Sequence, residues 1–364
     1  MSESTAPGPL TDLKAKFPNA VWTTRANNRL LRAQIPGSGL GGLAPGVGWA
    51  ARVQGTAAPQ PFDTPKMLMF AGRYPDGWSD GDTPNLDEQV AATVQGTSLL
   101  AQTAAEANLP LEVVDIDKRE AEFPALLNES ARDEVLAVGR DHANRAIDSG
   151  SDLLIIGTLG AGATTASAAV TSFTTRMEIT QLVPPMTNPG GLINDAAWMR
   201  RVAALRDHMA PNRRFKRQAD AIVARLGGAA LGAAAGAIVA AAVRRVPVLV
   251  DGAGGLGAMM IAREYTLAAP KWCYSPDRSP HPVVTRLAKQ TGMALGSGLG
   301  VDVADGVGTV LGWGLMQQAL QLSQAIPILE DGKVEEEEEE PEEQVDDDPV
   351  ESMEEFIDPN MLED

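Results

Sequence analysis

"SDLLIIGTLGAGATTASAAV", residues 151–170, decides how the rest of the chain is read. Its first part, Leu153 to Ile156, is apolar without alternation, which suits a strand covered on both faces. Gly157, Gly160 and Gly162 then punctuate the run, and the small residues that follow are compatible with a helix. Immediately upstream, "SARDEVLAVGRDHANRAIDSG" (130–150) has helical spacing and orderly ends. Asn128 or Ser130 can cap its start, Asp133 and Glu134 lie in the first turn, and Gly150 closes it. The order is helix, tight turn, strand, glycine loop, helix. It puts the loop at the carboxyl end of a strand, where open α/β sheets place their ligands.

The same alternation runs outward in both directions. "KMLMFAG" (66–72), "LEVVDID" (111–117), "DLLIIG" (152–157), "ITQLVPP" (179–185), "VPVLVDG" (246–252) and "KWCYS" (271–275) read as strands. Between them "NLDEQVAATVQGTSLLAQTAAEAN" (85–108) and "DAAWMRRVAALRDHM" (195–209) read as helices. Strands alternating with helices predict an α/β fold with a parallel sheet. The expected organisation is an N-terminal segment, 1–64, with an interrupted helical signal around "TTRANNRLLRAQ", then an α/β domain, 65–329, and a tail, 330–364.

Net charge is −18, but 18 of the 48 acidic residues and only one of the 30 basic ones lie in 331–364. The rest of the chain is close to neutral, without the basic surplus of a nucleic-acid binder. The tail's like charges, including "EEEEEE" (335–340), repel and bury too little apolar surface to offset ordering entropy, so disorder is expected there. Its end, "VESMEEFIDPNMLED" (350–364), is either a solvated tail or a docking motif for a protein partner with a basic groove. "LGGAALGAAAGAIVAAAV" (226–243) is long enough to span a membrane, yet its Ala and Gly content reads better as a buried helix in close backbone contact. The opening residues show no secretory pattern and Cys273 is the single cysteine; a reducing cytoplasm is the expected location.

Gly160 and Gly162 would let the backbone approach an anion, with Thr164 and Thr165 adding hydroxyl donors. The same pattern also fits a packing turn. A kinase-like nucleotide enzyme is a poor third reading, because the loop lacks the Gly-Lys-Ser/Thr ending of a P-loop. Asp305, between Ala304 and Gly306, reads as a catalytic carboxylate or as a helix N-cap; Asp251 with Gly252 reads as a site or as a structural turn. His281 reads as a loop histidine and Cys273 as core.

One resemblance draws these residues together. "GTLGAGATT" (157–165) resembles the Gly-Glu-Met-Gly-Ile-Gly-Asn-Thr-Thr loop of the nicotinate-nucleotide:dimethylbenzimidazole phosphoribosyltransferase family. "IPGSGLGGL" (35–43), "WAARVQGTAAPQPFDTPKMLMFAG" (49–72), "NDAAWMRRVAALRDHM" (194–209), "RRVPVLVDG" (244–252) and "DVADGVGTVLG" (302–312) are similar to further family segments, in order, over about residues 25 to 325. The resemblance implies a Rossmann-like parallel sheet flanked by helices, a small helical subdomain built from both ends of the globular chain, a homodimer and no cofactor. The implied substrates are nicotinate mononucleotide and an aromatic base, whose ring nitrogen displaces nicotinate at ribose C1 with inversion. Carried onto this chain, Asp305 is the base, standing where the family has Glu and reaching one methylene less far. Gly160, Gly162, Thr164, Thr165, Arg201, Asp251 and Gly306 are the implied substrate- and phosphate-binding residues. The chain departs from the family at Asp302 (Arg), Thr158 (Glu), Ala163 (Asn) and "AGRYP" (71–75; Ala-Gly-Asp-His-Gly). Those departures leave a second expectation open, a catalytically silent member serving as a regulatory or partner subunit.

Overall fold

The computed structural model describes residues 10, 12–33, 39–74, 78, 85–116, 127–187, 191–212, 215, 218–291, 293 and 295–329. The acidic tail expected to be disordered, with its docking motif, lies outside them. Two helices, α1 (Val21–Leu31) and α2 (Ala44–Gln54), precede β1 (Pro65–Ala71). Then come α3 (Leu86–Val94), α4 (Leu99–Glu106), β2 (Leu111–Asp115), α5 (Glu129–Asp148), β3 (Leu153–Leu159) and α6 (Ala161–Thr175). After α7 (Asp195–Asn212), α8 (Ala219–Ile222) and α9 (Gly228–Val243), the chain enters β4 (Val248–Val250). It finishes through α10 (Gly252–Tyr265), α11 (Ala269–Trp272), β5 (Cys273–Asp277), α12 (Pro282–Thr291), β6 (Leu295–Ser297) and α13 (Val307–Ala325).

Among the described residues the strands form one six-stranded sheet, in the order β2-β1-β3-β4-β5-β6, with every pairing parallel. The α/β class read from the alternation is the fold observed. Leu153, Leu154, Ile155 and Ile156 are all fully buried, as a continuous apolar run in a central strand requires. The period of two then divides the sheet's side chains between two cores. Leu68, Phe70, Leu154 and Ile156 join the larger core, with residues of α5, α6, α9 and α10. Met67, Met69, Leu153 and Ile155 join the other, with residues of α2, α4 and α13. Side-chain bonds fasten the N-terminal segment to α13, among them one from Gln324 Nε2 to the Pro59 carbonyl at 2.7 Å. Arg29 Nη1 donates to the Ser323 carbonyl at 2.7 Å, and Gln317 brackets Phe62 by accepting from its amide at 3.1 Å and donating to its carbonyl at 2.7 Å.

The Ala/Gly segment at 226–243 is α9 with the end of the turn before it, and it sits within the larger core. Ala219–Val243 is long and apolar enough to cross a membrane, but 89% of its apolar window is buried inside the protein. Its glycines explain why. A Cβ at Gly236 would collide with the Leu136 carbonyl of α5, and one at Gly139 of α5 with the Ala233 carbonyl of α9. The two helices meet backbone to backbone.

Some element assignments and boundaries need correction. Residues 179–185 form no strand: Ile179–Gln181 is a single 3₁₀ turn, and Pro184 and Pro185 have no N–H for a ladder. The helix expected over 85–108 breaks in two at Gly96, where φ is 78°, and Ser98 caps the second part by accepting from Ala101 N at 3.1 Å. β3 and β5 run two residues further than read, to Leu159 and Asp277, and β6 was not anticipated. Of the two cap candidates for α5, Asn128 serves, accepting from Ala131 N at 2.8 Å.

Candidate active site

The carboxyl ends of β3, β4 and β5 and the start of α13 meet at one edge of the sheet, and each brings an acid or an amide. β3 ends at Leu159, and Gly160 follows with a φ of 106° and ψ of 137° that only glycine adopts without strain, so the chain can turn at once into α6. β4 ends at Val250, and Asp251 follows; β5 ends in Asp277 itself. α13 begins after Asp305 and Gly306, the latter at φ 85°. Together they line a narrow cleft of about 60 Å³, whose polar walls include Thr164, Asp251, Asp277, His281, Asp302 and Asp305.

Hydrogen bonds tie these loops to one another. Asp251 Oδ1 accepts from Thr309 Oγ1 at 2.7 Å and its Oδ2 from Gly306 N at 3.0 Å. Asp305 Oδ2 accepts from Gly160 N at 3.2 Å, and Asp277 Oδ1 from Leu299 N at 3.0 Å. Burial disfavours each carboxylate charge. Asp251 is pushed up to about 7, first by desolvation, with the Asp305 charge adding to it and the bonds from Thr309 and Gly306 opposing. Asp305 rises to about 6, again chiefly through desolvation; the Gly160 amide pulls it down and the Asp302 charge pushes it up. Desolvation raises Asp277 as well, against the amides that bond it. His281 is driven down to about 4 by burial and the nearby Arg201 charge. Because its Nδ1 accepts from Val283 N at 3.2 Å, the neutral ring carries its proton on Nε2. The site therefore holds two carboxyls, Asp251 and Asp305, raised toward neutrality and a histidine that stays uncharged.

The residues read from the sequence do not all face this cleft. Asp305, Asp251, Gly306 and Thr164 do. Thr165 is 2% exposed, and its hydroxyl donates to the Trp78 carbonyl at 2.7 Å. Gly162 lies beneath Tyr74: a Cβ there would stand 2.5 Å from Tyr74 Cβ, so this glycine makes room for a side chain. The Tyr74 hydroxyl donates to the Gly227 carbonyl at 3.1 Å and its ring stacks on Trp78 at 6.0 Å. Arg201, on α7, does not line the cleft and acts on it through His281. The cap reading of Asp305 is overturned, because α13 starts at Gly306 without a side-chain cap from 305, and it is Asp251 that accepts the Gly306 amide. Asp251 thus belongs both to a turn and to the cleft wall. Cys273 is buried, its thiol raised by desolvation, and it donates to the Ala269 carbonyl at 3.3 Å.

Three cleft residues were missed. Asp277 escaped because the strand was ended at Ser275. Ser279 and Thr309 are unremarkable in sequence and matter only through the loops that fold them inward. His281, read as a loop histidine, is on the cleft wall.

Parallel strands, loops gathered at their carboxyl ends and a cluster of perturbed carboxyls give the arrangement in which open α/β folds place a ligand site. Residues 15–334 match the family model described as phosphoribosyltransferase, and the chain belongs to that family. It is 27% identical over 327 residues to a nicotinate-nucleotide–dimethylbenzimidazole phosphoribosyltransferase of Streptomyces avermitilis, covering 83% of this chain and 86% of the relative. It is 31% identical over 286 residues to the enzyme of the same name from Mycobacterium avium, covering 73% and 80%. The solved structure of nicotinate-nucleotide-dimethylbenzimidazole phosphoribosyltransferase from Thermus thermophilus superposes with a TM-score of 0.71 at 21% identity, covering 86% of this chain and 97% of that one. That likeness is one of fold.

Proposed function

We propose that this transferase moves the ribose phosphate of nicotinate mononucleotide to 5,6-dimethylbenzimidazole or a related aromatic base, giving an α-ribotide for cobalamin assembly. The observation that carries the reading is the half-buried Asp305 carboxylate, raised to about 6 at the strand-end cleft of a phosphoribosyltransferase. Asp305 takes the proton from one ring nitrogen of the azole while the other attacks ribose C1. The C–N bond to nicotinate breaks with its electron pair returning to the pyridine nitrogen, and the configuration at C1 inverts. A base near 6 is mostly ionised at neutral pH yet still basic enough to share a proton in the transition state.

The phosphate is assigned to Thr164 and the first-turn amides of α10 at Gly252 and Ala253, which share the cleft wall. Of the remaining loop residues, Gly160 holds Asp305 in place, while Gly162 and Thr165 hold the floor beneath. A cleft of about 60 Å³ has room for little more than water. The homodimer implied by the resemblance and the cytoplasmic location expected from the single cysteine and the absence of a secretory pattern belong to the same proposal, and light scattering on purified protein tests the first. Nothing observed favours a silent partner subunit. The deciding experiment incubates the protein with nicotinate mononucleotide and dimethylbenzimidazole and follows both products; no nicotinate release at any enzyme concentration sinks the reading.

A further inference from the structure

We propose that Asp251 is a positioning residue that sets the direction of the Asp305 side chain through the first turn of α13, and does not act by holding substrate. The proposal rests on the reading of Asp305 as the base. Asp251 is 8% exposed, which leaves little surface for a ligand, and each of its carboxylate oxygens already accepts a bond from α13. Those donors are the amide of the residue after Asp305 and the hydroxyl of Thr309, one helical turn on.

The position of that amide matters because Gly306 is the hinge of the turn. At φ 85° it lies in the left-handed region, and with no Cβ its backbone has more freedom than any other residue's. Leu100 and Met67 press on it from the core, where a Cβ would collide with Leu100. Asp251 fixes its amide from the cleft side. The Asp305 side chain is then held from two directions, through the Gly306 amide by Asp251 and at its own Oδ2 by Gly160 N. β4, β3 and α13 are linked in one clamp around a single carboxylate. The charged and titratable neighbours of the pair are Asp277 on β5, Asp302 on the preceding loop and His281, which faces Arg201.

Thr309→Val exchanges one oxygen for a methyl and removes one arm of the clamp, whereas Thr309→Ser keeps it. In the full-length protein, with nicotinate mononucleotide and dimethylbenzimidazole, Thr309→Val should lower kcat about tenfold and Asp251→Ala about a hundredfold, the scale of a misplacement near 1 Å. KM for the nucleotide should stay within about twofold, and Thr309→Ser should lie much closer to the unaltered enzyme. A raised KM at unchanged kcat in Asp251→Ala would make Asp251 a substrate ligand and overturn the proposal. So would an unchanged kcat in Thr309→Val. If Asp251→Ala fails to fold, Thr309→Val still decides. If the unaltered protein proves inactive, the reaction assigned above falls on its own, and the clamp is read instead from the ¹³C carboxyl titration of Asp305, assigned by its loss in Asp305→Asn. Thr309→Val must move that titration, and an unmoved curve refutes the clamp.

Discussion

Asp305→Asn separates a catalytic carboxylate from a structural one with few side effects. The amide oxygen of asparagine can still accept the Gly160 N–H, so the 305 side chain keeps its place and the turn before α13 keeps its shape. What it loses is the ability to take a proton at neutral pH. With its carboxyl raised to about 6, the unaltered enzyme has about a tenth of its base ionised at pH 5 and about nine-tenths at pH 7. The ionised form works, so activity is lost as pH falls, and the rate should rise nearly tenfold across that interval. In Asp305→Asn the rate at pH 7 should drop by roughly 10²–10⁴, the usual contribution of a positioned base, and the rise attributable to the enzyme should vanish. Initial rates of nicotinate release at saturating substrates and constant ionic strength read both effects. A benzimidazole also takes up a proton in mildly acid solution, and that inflection persists in the variant, so the difference between the two profiles reports Asp305. A variant within a few fold of the unaltered rate, or profiles of identical shape, would refute the assignment. Nucleotide affinity by calorimetry should hardly change, because Asp305 is assigned to the azole and not to the phosphate.

Three further outcomes are expected. Asp302→Arg should move the acid limb of the pH profile below 6, since the Asp302 charge helps to raise Asp305, and the same assay reads it; a shift to higher pH contradicts the electrostatic reading. Thr165→Val removes the bond to the Trp78 carbonyl and should cost about 1–3 kcal/mol in denaturant unfolding, while KM for the nucleotide stays near its original value. A large rise in KM would return Thr165 to the phosphate site. Gly236→Ala drives a Cβ into the Leu136 carbonyl and should destabilise by about 1–3 kcal/mol or more, visible as a lower melting temperature, because two helix backbones must part; an unchanged melting temperature would mean that α5 and α9 are further apart than described.

The fold was legible where burial writes a strong pattern. β3 is apolar without a break from Leu153 to Ile156 because both sheet faces are covered there, and α9 declares its tight packing by glycines and alanines. The misreadings have local causes. At 179–185 the apolar run Ile179, Leu182, Val183 is buried as expected, but two prolines withhold the donors a strand needs, and burial alone does not distinguish a strand from a packed turn. β6 spans three residues, Leu295–Ser297, too few for any period to show. Its glycine is required by contact with the neighbouring strand, since a Cβ at Gly296 would collide with the Pro276 carbonyl.

The site was legible in its parts and not in its wiring. A glycine loop after a strand and an aspartate before Gly306 are visible as separate segments, but the bond between them joins residues 145 positions apart. Sequence order gives no hint of it. The same distance hides why the loop's four candidate residues divide: Thr164 and Thr165 are adjacent on α6, about 100° apart around its axis, so one reaches the cleft while the other meets Trp78. It also hides which aspartate serves α13. Both Asp251 and Asp305 look like turn residues, and the N-cap rule favours the one nearer in sequence. The structure assigns the helix start to the distant one, and that leaves the nearer one turned toward Gly160 and the cleft. A carboxylate bound into its own helix cap would sit low and inert; one released from that duty, desolvated and facing a like charge at Asp302, sits near 6, where a base is useful. The division of labour between the two aspartates is therefore what would fit Asp305 for the base role proposed for it, and it follows from the meeting of β3, β4 and α13, not from any motif.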